Sequence, residues 1–155
     1  MSEALLSVRD LRVSFPSRRG VFEAVRGVSF DLGRERLGVV GESGSGKSMT
    51  GRAILGLVRP PGRVTASRME LMGRPILNLP ERQMRAIRGS HISMVMQDPK
   101  FSLNPVMRVG DQIVEAYGLH SGASRAAARL KALEMLEAVR IRDPERVFQS
   151  YPHEV

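Results

Sequence analysis

The 155-residue chain carries 24 Lys and Arg against 16 Asp and Glu, which gives a formal net charge of +8, and it has no cysteine. Its hydrophobic content of 42% and its charged content of 26% are those of an ordinary globular protein. The lack of cysteine excludes a disulfide framework, a thiol nucleophile and a thiolate metal site. An aromatic content of 5% with dispersed arginines argues against a nucleic-acid partner.

The N-terminal segment alternates apolar and charged residues and lacks the uninterrupted apolar run of a signal peptide. No segment approaches the roughly 18 apolar residues that a membrane-spanning helix needs. We therefore expect a cytoplasmic protein.

The first third of the chain has the pattern of strands around a glycine-rich loop. Period-two apolar residues over 5–15 and 21–32 predict two antiparallel strands, joined by a turn rich in Pro, Ser and Gly. The apolar segment 36–40 predicts a strand that enters the glycine-rich loop, and 47–58 has helical spacing.

In the middle of the chain, the sequence pattern predicts a further strand, then a helix, then another strand. These are a strand over 64–72, a helix that begins at Pro80 and closes at Gly89, and an apolar strand over 91–99.

From Asn104 the pattern becomes helical, with segments at 106–119, 124–141 and 143–151. In the second segment an apolar stripe is predicted, made of Ala126, Leu130, Leu133, Leu136 and Val139. Asp143 followed by Pro144 predicts a helix cap. We expect an α/β body over 1–103 and a helical subdomain over 104–155.

Gly41, Gly46, Lys47 and Ser48 match the pattern G-x-x-x-x-G-K-[ST] between a predicted strand and a predicted helix. Backbone N–H groups of such a loop form a concave anion site, the lysine reaches the β and γ phosphates, and the hydroxyl binds Mg²⁺. The residues predicted to contact the nucleotide here are Gly41, Glu42, Ser43, Gly44, Ser45, Gly46, Lys47, Ser48 and Met49.

The end of the strand predicted over 91–99 admits two interpretations. Asp98 follows the glycine-rich loop at the sequence separation expected of a magnesium-binding carboxylate in a compact P-loop kinase or GTPase. Against this, Pro99 and Lys100 stand where many P-loop ATPases carry a second, catalytic carboxylate, and the helical segments that follow would be unexplained. The residues alone leave both interpretations open.

The stretches "VGESGSGKS", "ISMVMQDPKFSLNPVMRVGDQI" and "YPHE" together resemble the ATP-binding subunit of ABC transporters, in the branch that imports dipeptides, oligopeptides or nickel. The resemblance implies a P-loop ATPase core with N-terminal antiparallel strands and a helical subdomain that docks on a permease. It implies ATP and Mg²⁺ as cofactors, catalytic roles for Lys47 and Gln97, and metal contacts from Ser48 and Gln97. It also implies that Phe15 stacks on adenine.

The family's further motifs, a serine-glycine-glycine signature, an Asp-Glu carboxylate pair and a switch histidine, have no match in these 155 residues. We therefore expect the C-terminal part of the core to be missing and the chain alone to be inactive and marginally stable. A non-hydrolysing, nucleotide-binding fragment is the further alternative. The expected partners are permease subunits, a second ATP-binding subunit and, indirectly, a solute-binding protein, at the inner face of the cell membrane.

Overall fold

The computed structural model describes residues 4–18, 20–96 and 102–155. The chain forms two compact units, Met1–Arg88 and Gly89–Val155. No helix among the described residues is long and apolar enough to cross a membrane.

An antiparallel sheet forms most of the first unit. Its strands are β1 (Leu6–Ser17), β2 (Gly20–Leu32), β3 (Arg63–Thr65), β4 (Arg68–Leu71) and β5 (Arg74–Pro75). The strand order is β2-β1-β4-β5, and β3 also pairs with β1. The two antiparallel strands predicted at the N-terminus are thus confirmed, whereas the single strand predicted over 64–72 is two short strands.

The core of this unit lies along one face of β1. Val8, Leu11 and Val13 are fully buried, although Val8 and Leu11 are three residues apart. A register shift between them inserts one extra residue and returns Leu11 to the core face. Asp10, at φ 48°, takes the left-handed conformation at this bulge.

Two helices complete the first unit, α1 (Lys47–Ile54) and α2 (Glu81–Ile87). Helix α1 is shorter than the predicted 47–58 because Gly56, at φ 62°, ends it. The N–H of Gly56 bonds to Ala53 O at 3.0 Å and that of Leu57 to Arg52 O at 2.8 Å, which is the Schellman arrangement of a helix C-terminus.

Arg88 ties the end of α2 to the end of α1. Its guanidinium donates to the carbonyl oxygen of Leu55 at 2.7 Å and to the Glu81 carboxylate at 2.7 Å. The hydrogen bond from Arg88 lowers the pKa of Glu81 below its usual value.

Two predicted strands are absent from the described residues. Residues 36–40 have no strand partner, and Val39 and Val40 are 58% and 92% exposed. Residues 91–96 likewise form no strand, and Val95 is 88% exposed. A strand needs a neighbour for its backbone hydrogen bonds. The structure shows none for 36–40, and in 91–96 it shows only an isolated bridge at Ile92. Residues 97–99 lie outside the described part.

The second unit is helical, as predicted, with α3 (Val109–Ser121), α4 (Arg125–Ala138), α5 (Pro144–Gln149) and a 3-10 turn (Pro152–Glu154). The Asp143 cap is confirmed, because its carboxylate accepts from the Arg146 N–H at 3.2 Å. The core consists of Val109, Ala132, Leu136, Val147 and Phe148.

The apolar stripe predicted on α4 is mostly wrong. The buried residues are Ala128, Ala132 and Leu136, whereas Leu130 and Val139 are 71% and 68% exposed, and Ala126 is exposed. Of the predicted stripe, Leu136 is buried and Leu133 packs against the core.

Candidate phosphate-binding site

The glycine-rich loop, residues 41–48, leads directly into α1 and rests on β2. Gly46 is the residue before the helix, at φ 95°. A Cβ atom added to Gly46 would lie 2.5 Å from the carbonyl oxygen of Ala24. No other residue type fits here, because the backbone conformation disfavours a side chain and the strand leaves it no space.

Helix α1 holds the end of this loop in place. The Thr50 N–H donates to Gly46 O at 2.8 Å, and the Thr50 hydroxyl donates to the same oxygen at 3.0 Å. The first turn of α1 contains no acidic residue. The positive end of the helix dipole is therefore available to an anion.

The ammonium group of Lys47 lies inside the curve of the loop. It donates to the carbonyl oxygens of Gly41 and Glu42, each at 2.7 Å, and lies 3.4 Å from the Ser45 hydroxyl. These hydrogen bonds hold the positive charge of Lys47 within the loop. The oxygens of a bound phosphate would compete with the two carbonyl oxygens for the ammonium group.

The other loop residues predicted to contact nucleotide have accessible positions. Glu42, Ser43 and Ser48 are exposed and Met49 is half-buried. Ser48 is the second residue of α1, so its hydroxyl lies at the helix N-terminus and can supply one oxygen to Mg²⁺. Magnesium usually takes its remaining ligands from substrate phosphates and water.

No cluster of three or more His, Asp or Glu side chains able to hold a metal occurs within the described ranges. The Ser48 hydroxyl, at the N-terminus of α1, fits a magnesium ion that takes its other ligands from phosphate groups and water. Gln97, the other predicted metal contact, lies outside the described residues, as does Asp98.

Phe15 is half-buried on β1. A Cβ atom at Gly62 would lie 2.6 Å from the Phe15 ring and 2.6 Å from Val58, so the ring packs closely on the backbone at Gly62. The adenine-stacking role of Phe15 stays a prediction.

The sequence pattern gives no prediction for a groove beside the loop. This groove, of about 490 Å³, is lined by β2 from Phe22 to Val28 and by Gly44 and Ser45 of the loop. Phe22 is 56% exposed there. A period-two reading of β2 does not identify it, because the strand changes register between Val25 and Glu23.

The sheet, helix α1 and the glycine-rich loop between them belong to an α/β fold of the P-loop ATPase class. The family model described as "ABC transporter" matches residues 25–155, and the chain belongs to this family. That membership supports the transporter resemblance rather than a compact kinase or GTPase.

Solved structures show the same fold. The dimeric structure of MJ0796, a bacterial ABC transporter cassette, superposes with a TM-score of 0.75 at 19% identity, over 97% of this chain and 62% of that chain. A post-hydrolysis state of the same cassette, bound to ADP and Pi, gives a TM-score of 0.73 over the same shares at 19% identity.

The curated relatives are peptide-transport proteins. The oligopeptide transport ATP-binding protein OppD of Salmonella typhimurium is 47% identical over 99% of this chain and 46% of its own length. The probable peptide ABC transporter ATP-binding protein y4tR of Sinorhizobium fredii is 48% identical over 99% of this chain and 47% of its own length. For the dipeptide transport ATP-binding protein DppD of Bacillus subtilis, the identity is 46% over 98% of this chain and 46% of that protein. The chain spans about half the length of these relatives.

Proposed function

We propose that this chain is the ATP-binding part of an ABC-type ATPase that energises import of oligopeptides or dipeptides. The observation that carries the proposal is the phosphate loop, in which Lys47 is held by two loop carbonyl oxygens at 2.7 Å at the start of α1. The printed names of relatives at 46 to 48% identity support peptides as the transported solute. Nickel is the less supported alternative.

In this proposal, the loop N–H groups and Lys47 bind the triphosphate, and Ser48 contributes a hydroxyl oxygen to Mg²⁺. Bound Mg²⁺ would neutralise charge on the phosphates. Gln97 is proposed as the second metal contact and as the link between nucleotide and permease. The working assembly would be two ATP-binding subunits on permease subunits at the cytoplasmic face of the membrane, with a solute-binding protein outside. Residues 1–103 would then serve nucleotide binding and 104–155 permease docking.

Titration of the chain with Mg-ATP tests the nucleotide site. Lys47→Ala removes the cation of the loop and is expected to weaken ATP binding about tenfold or more, as for a hydrogen bond to a charged group. Lys131→Ala is the matched control, because Lys131 carries the same charge on α4 and pairs with Glu134 at 2.6 Å. Equal affinity of both variants and the unmodified chain would contradict the proposal.

The transported solute is tested in the organism that encodes the chain. Disruption of the reading frame is expected to abolish uptake of a labelled tripeptide or pentapeptide and to leave nickel uptake unchanged. The reverse result would assign the protein to nickel import.

A further inference from the structure

The C-terminal end of α1 is held by the side chain of Arg88. Carbonyl oxygens at the end of a helix have no partner within the helix and need other donors. Arg88 supplies two, because its Nε donates to Leu55 O at 2.7 Å and its Nη2 donates to Gly56 O at 3.2 Å. Leu55 is only 5% exposed, so its carbonyl oxygen depends on a donor from the protein.

The guanidinium group of Arg88 also binds a carboxylate. Its Nη1 and Nη2 donate to the two carboxylate oxygens of Glu81 at 2.7 and 3.2 Å. A planar group with five N–H donors can bond to two carbonyl oxygens and a carboxylate together, which an ammonium group cannot do. A Cβ atom at Gly56 would lie 3.3 Å from Nη2 of Arg88, so the glycine leaves room for the guanidinium group.

Helix α1 is short enough for its two ends to move together. It has eight residues and is therefore about 12 Å long. The phosphate loop leads into its first residue, Lys47, and Arg88 binds the carbonyl oxygens just after its last residue, Ile54. A change in helix direction at the C-terminal end therefore moves the loop N–H groups and Lys47 at the other end.

We propose that Arg88 is a positioning residue for the phosphate site, because its bonds to Leu55 O and Gly56 O fix the direction of α1 and thereby the position of the loop. The proposal rests on the proposed function, in which the loop binds the triphosphate. Arg88 does not contact the phosphates, since it lies at the opposite end of the helix. Its cation also stabilises the negative end of the helix dipole.

A purely structural role for Arg88 makes a different prediction. Loss of the same hydrogen bonds would then lower the stability of the protein and reduce the fraction of folded chains. Each folded chain would still bind phosphate as before. The dissociation constant, measured under conditions in which denaturation curves show every variant to be folded, therefore separates a positioning role from a structural one.

Binding of inorganic tripolyphosphate with Mg²⁺ measures the loop alone, because this ligand has neither base nor ribose. Arg88→Gln removes the guanidinium group and is expected to raise the Kd about three- to tenfold, as for residues that act on a site through a packed element. Arg88→Lys keeps the charge but lacks the planar group, so it is expected to recover only part of the affinity. An unchanged Kd in both variants would overturn the inference.

Two further variants isolate the bonds between Arg88 and α1. Arg68→Gln removes the same charge from the same unit, at a residue that pairs with Glu70 on β4 at 2.6 Å, and is expected to leave the Kd unchanged. Glu81→Ala removes the ion pair but leaves both carbonyl oxygens to Arg88, so its effect is expected to be smaller than that of Arg88→Gln. A loss as large as that of Arg88→Gln in either variant would overturn the inference, because net charge or the ion pair would then explain the effect.

Backbone amide resonances of the loop give a second readout, which needs no ligand. Arg88→Gln is expected to shift the amide signals of Gly44 and Gly46, since the loop moves with the helix, whereas Arg68→Gln is not. Where Arg88→Gln does not fold, Arg88→Lys decides, and an unchanged Kd with unchanged loop signals in that variant would overturn the inference.

The unmodified chain separates the two proposals. If it bound neither Mg-ATP nor tripolyphosphate, the proposed function would fail together with this inference. If it bound both ligands and the Arg88 variants bound them equally well, only the inference would fail.

Discussion

Gly46 and Gly44 differ in what surrounds them, and this difference predicts two different costs for the same substitution. Both residues have positive φ, 95° and 81°, so alanine at either position is strained by about 1–2 kcal/mol. At Gly46 the added Cβ would also lie 2.5 Å from the backbone oxygen of Ala24, while at Gly44 it would meet nothing within 4 Å. Gly46→Ala must move the loop or the strand.

We expect Gly46→Ala to lower the free energy of unfolding by at least about 1 kcal/mol more than Gly44→Ala, because overpacking adds to the strain. Chemical denaturation of the two variants measures this difference. Gly46→Ala is also expected to weaken tripolyphosphate binding, since the loop moves with it. Equal denaturation midpoints for the two variants would show that the contact with Ala24 does not constrain the loop.

At the scale of residues, the sequence predicts the position of the glycine-rich loop and of the helix after it well, but it predicts the surroundings of the loop poorly. The spacing of Gly41, Gly46 and Lys47 is a local property, so the motif locates the turn and the helix that follows. Phe22 is different, because its face of the sheet depends on a register shift in the hairpin. A shift of one residue moves a side chain to the opposite face, and no pattern within β2 alone reveals it.

The packing of α3 on α5 depends on one glycine. A Cβ atom at Gly110 would lie 2.3 Å from the Phe148 ring, whereas one at Gly118, in the same helix, would meet nothing within 4 Å. Gly110→Ala is expected to destabilise the protein by about 1–3 kcal/mol through overpacking. Gly118→Ala is expected to stabilise it by up to about 1 kcal/mol, because alanine is the better helix former.

Thermal or chemical denaturation of the two variants gives the test, and the opposite signs make it independent of the absolute stability. The near-UV signal of the aromatic residues provides a second measurement, since a displaced Phe148 changes its environment. Stabilisation by both substitutions would mean that the helices separate at no cost.

At the scale of elements, sequence periodicity identifies the helices of the second unit but not the face that α4 buries. Ala128 and Ala132 form the buried face together with Leu136, because small side chains permit close approach of neighbouring helices. A reading that gives weight to large apolar residues selects Leu130 and Val139 instead, which are exposed. Burial on a helix with several apolar residues depends on its neighbours, which the pattern does not contain.

The segments 36–40 and 91–96 show what is determined only by the whole molecule. Their composition is typical of buried strands, yet in the described structure 36–40 is unpaired and 91–96 contributes only an isolated bridge at Ile92. Pairing is a non-local property, because the strand supplies the apolar side chains and a neighbour supplies the hydrogen bonds. Sequence therefore identifies them as candidate strands without establishing that they form.

The exposed segment 36–40 is expected to make the chain associate with itself. Leu37 and Val39 are 46% and 58% exposed and are two residues apart, so in an extended conformation they form one apolar face with an unpaired backbone beside it. Such an edge is a template for intermolecular pairing. The double substitution Leu37→Lys and Val39→Lys is expected to reduce association, because two charges on this face repel a second copy.

Sedimentation velocity over a range of protein concentrations measures the effect. The matched control is Leu130→Lys with Val139→Lys, which replaces two residues that are more exposed, at 71% and 68%, but belong to the hydrogen-bonded helix α4 or its cap. Because their backbone is satisfied within the helix, the control is expected to reduce association much less. An equal reduction of association in both variants would show that exposed apolar area, rather than an unpaired edge, causes the association.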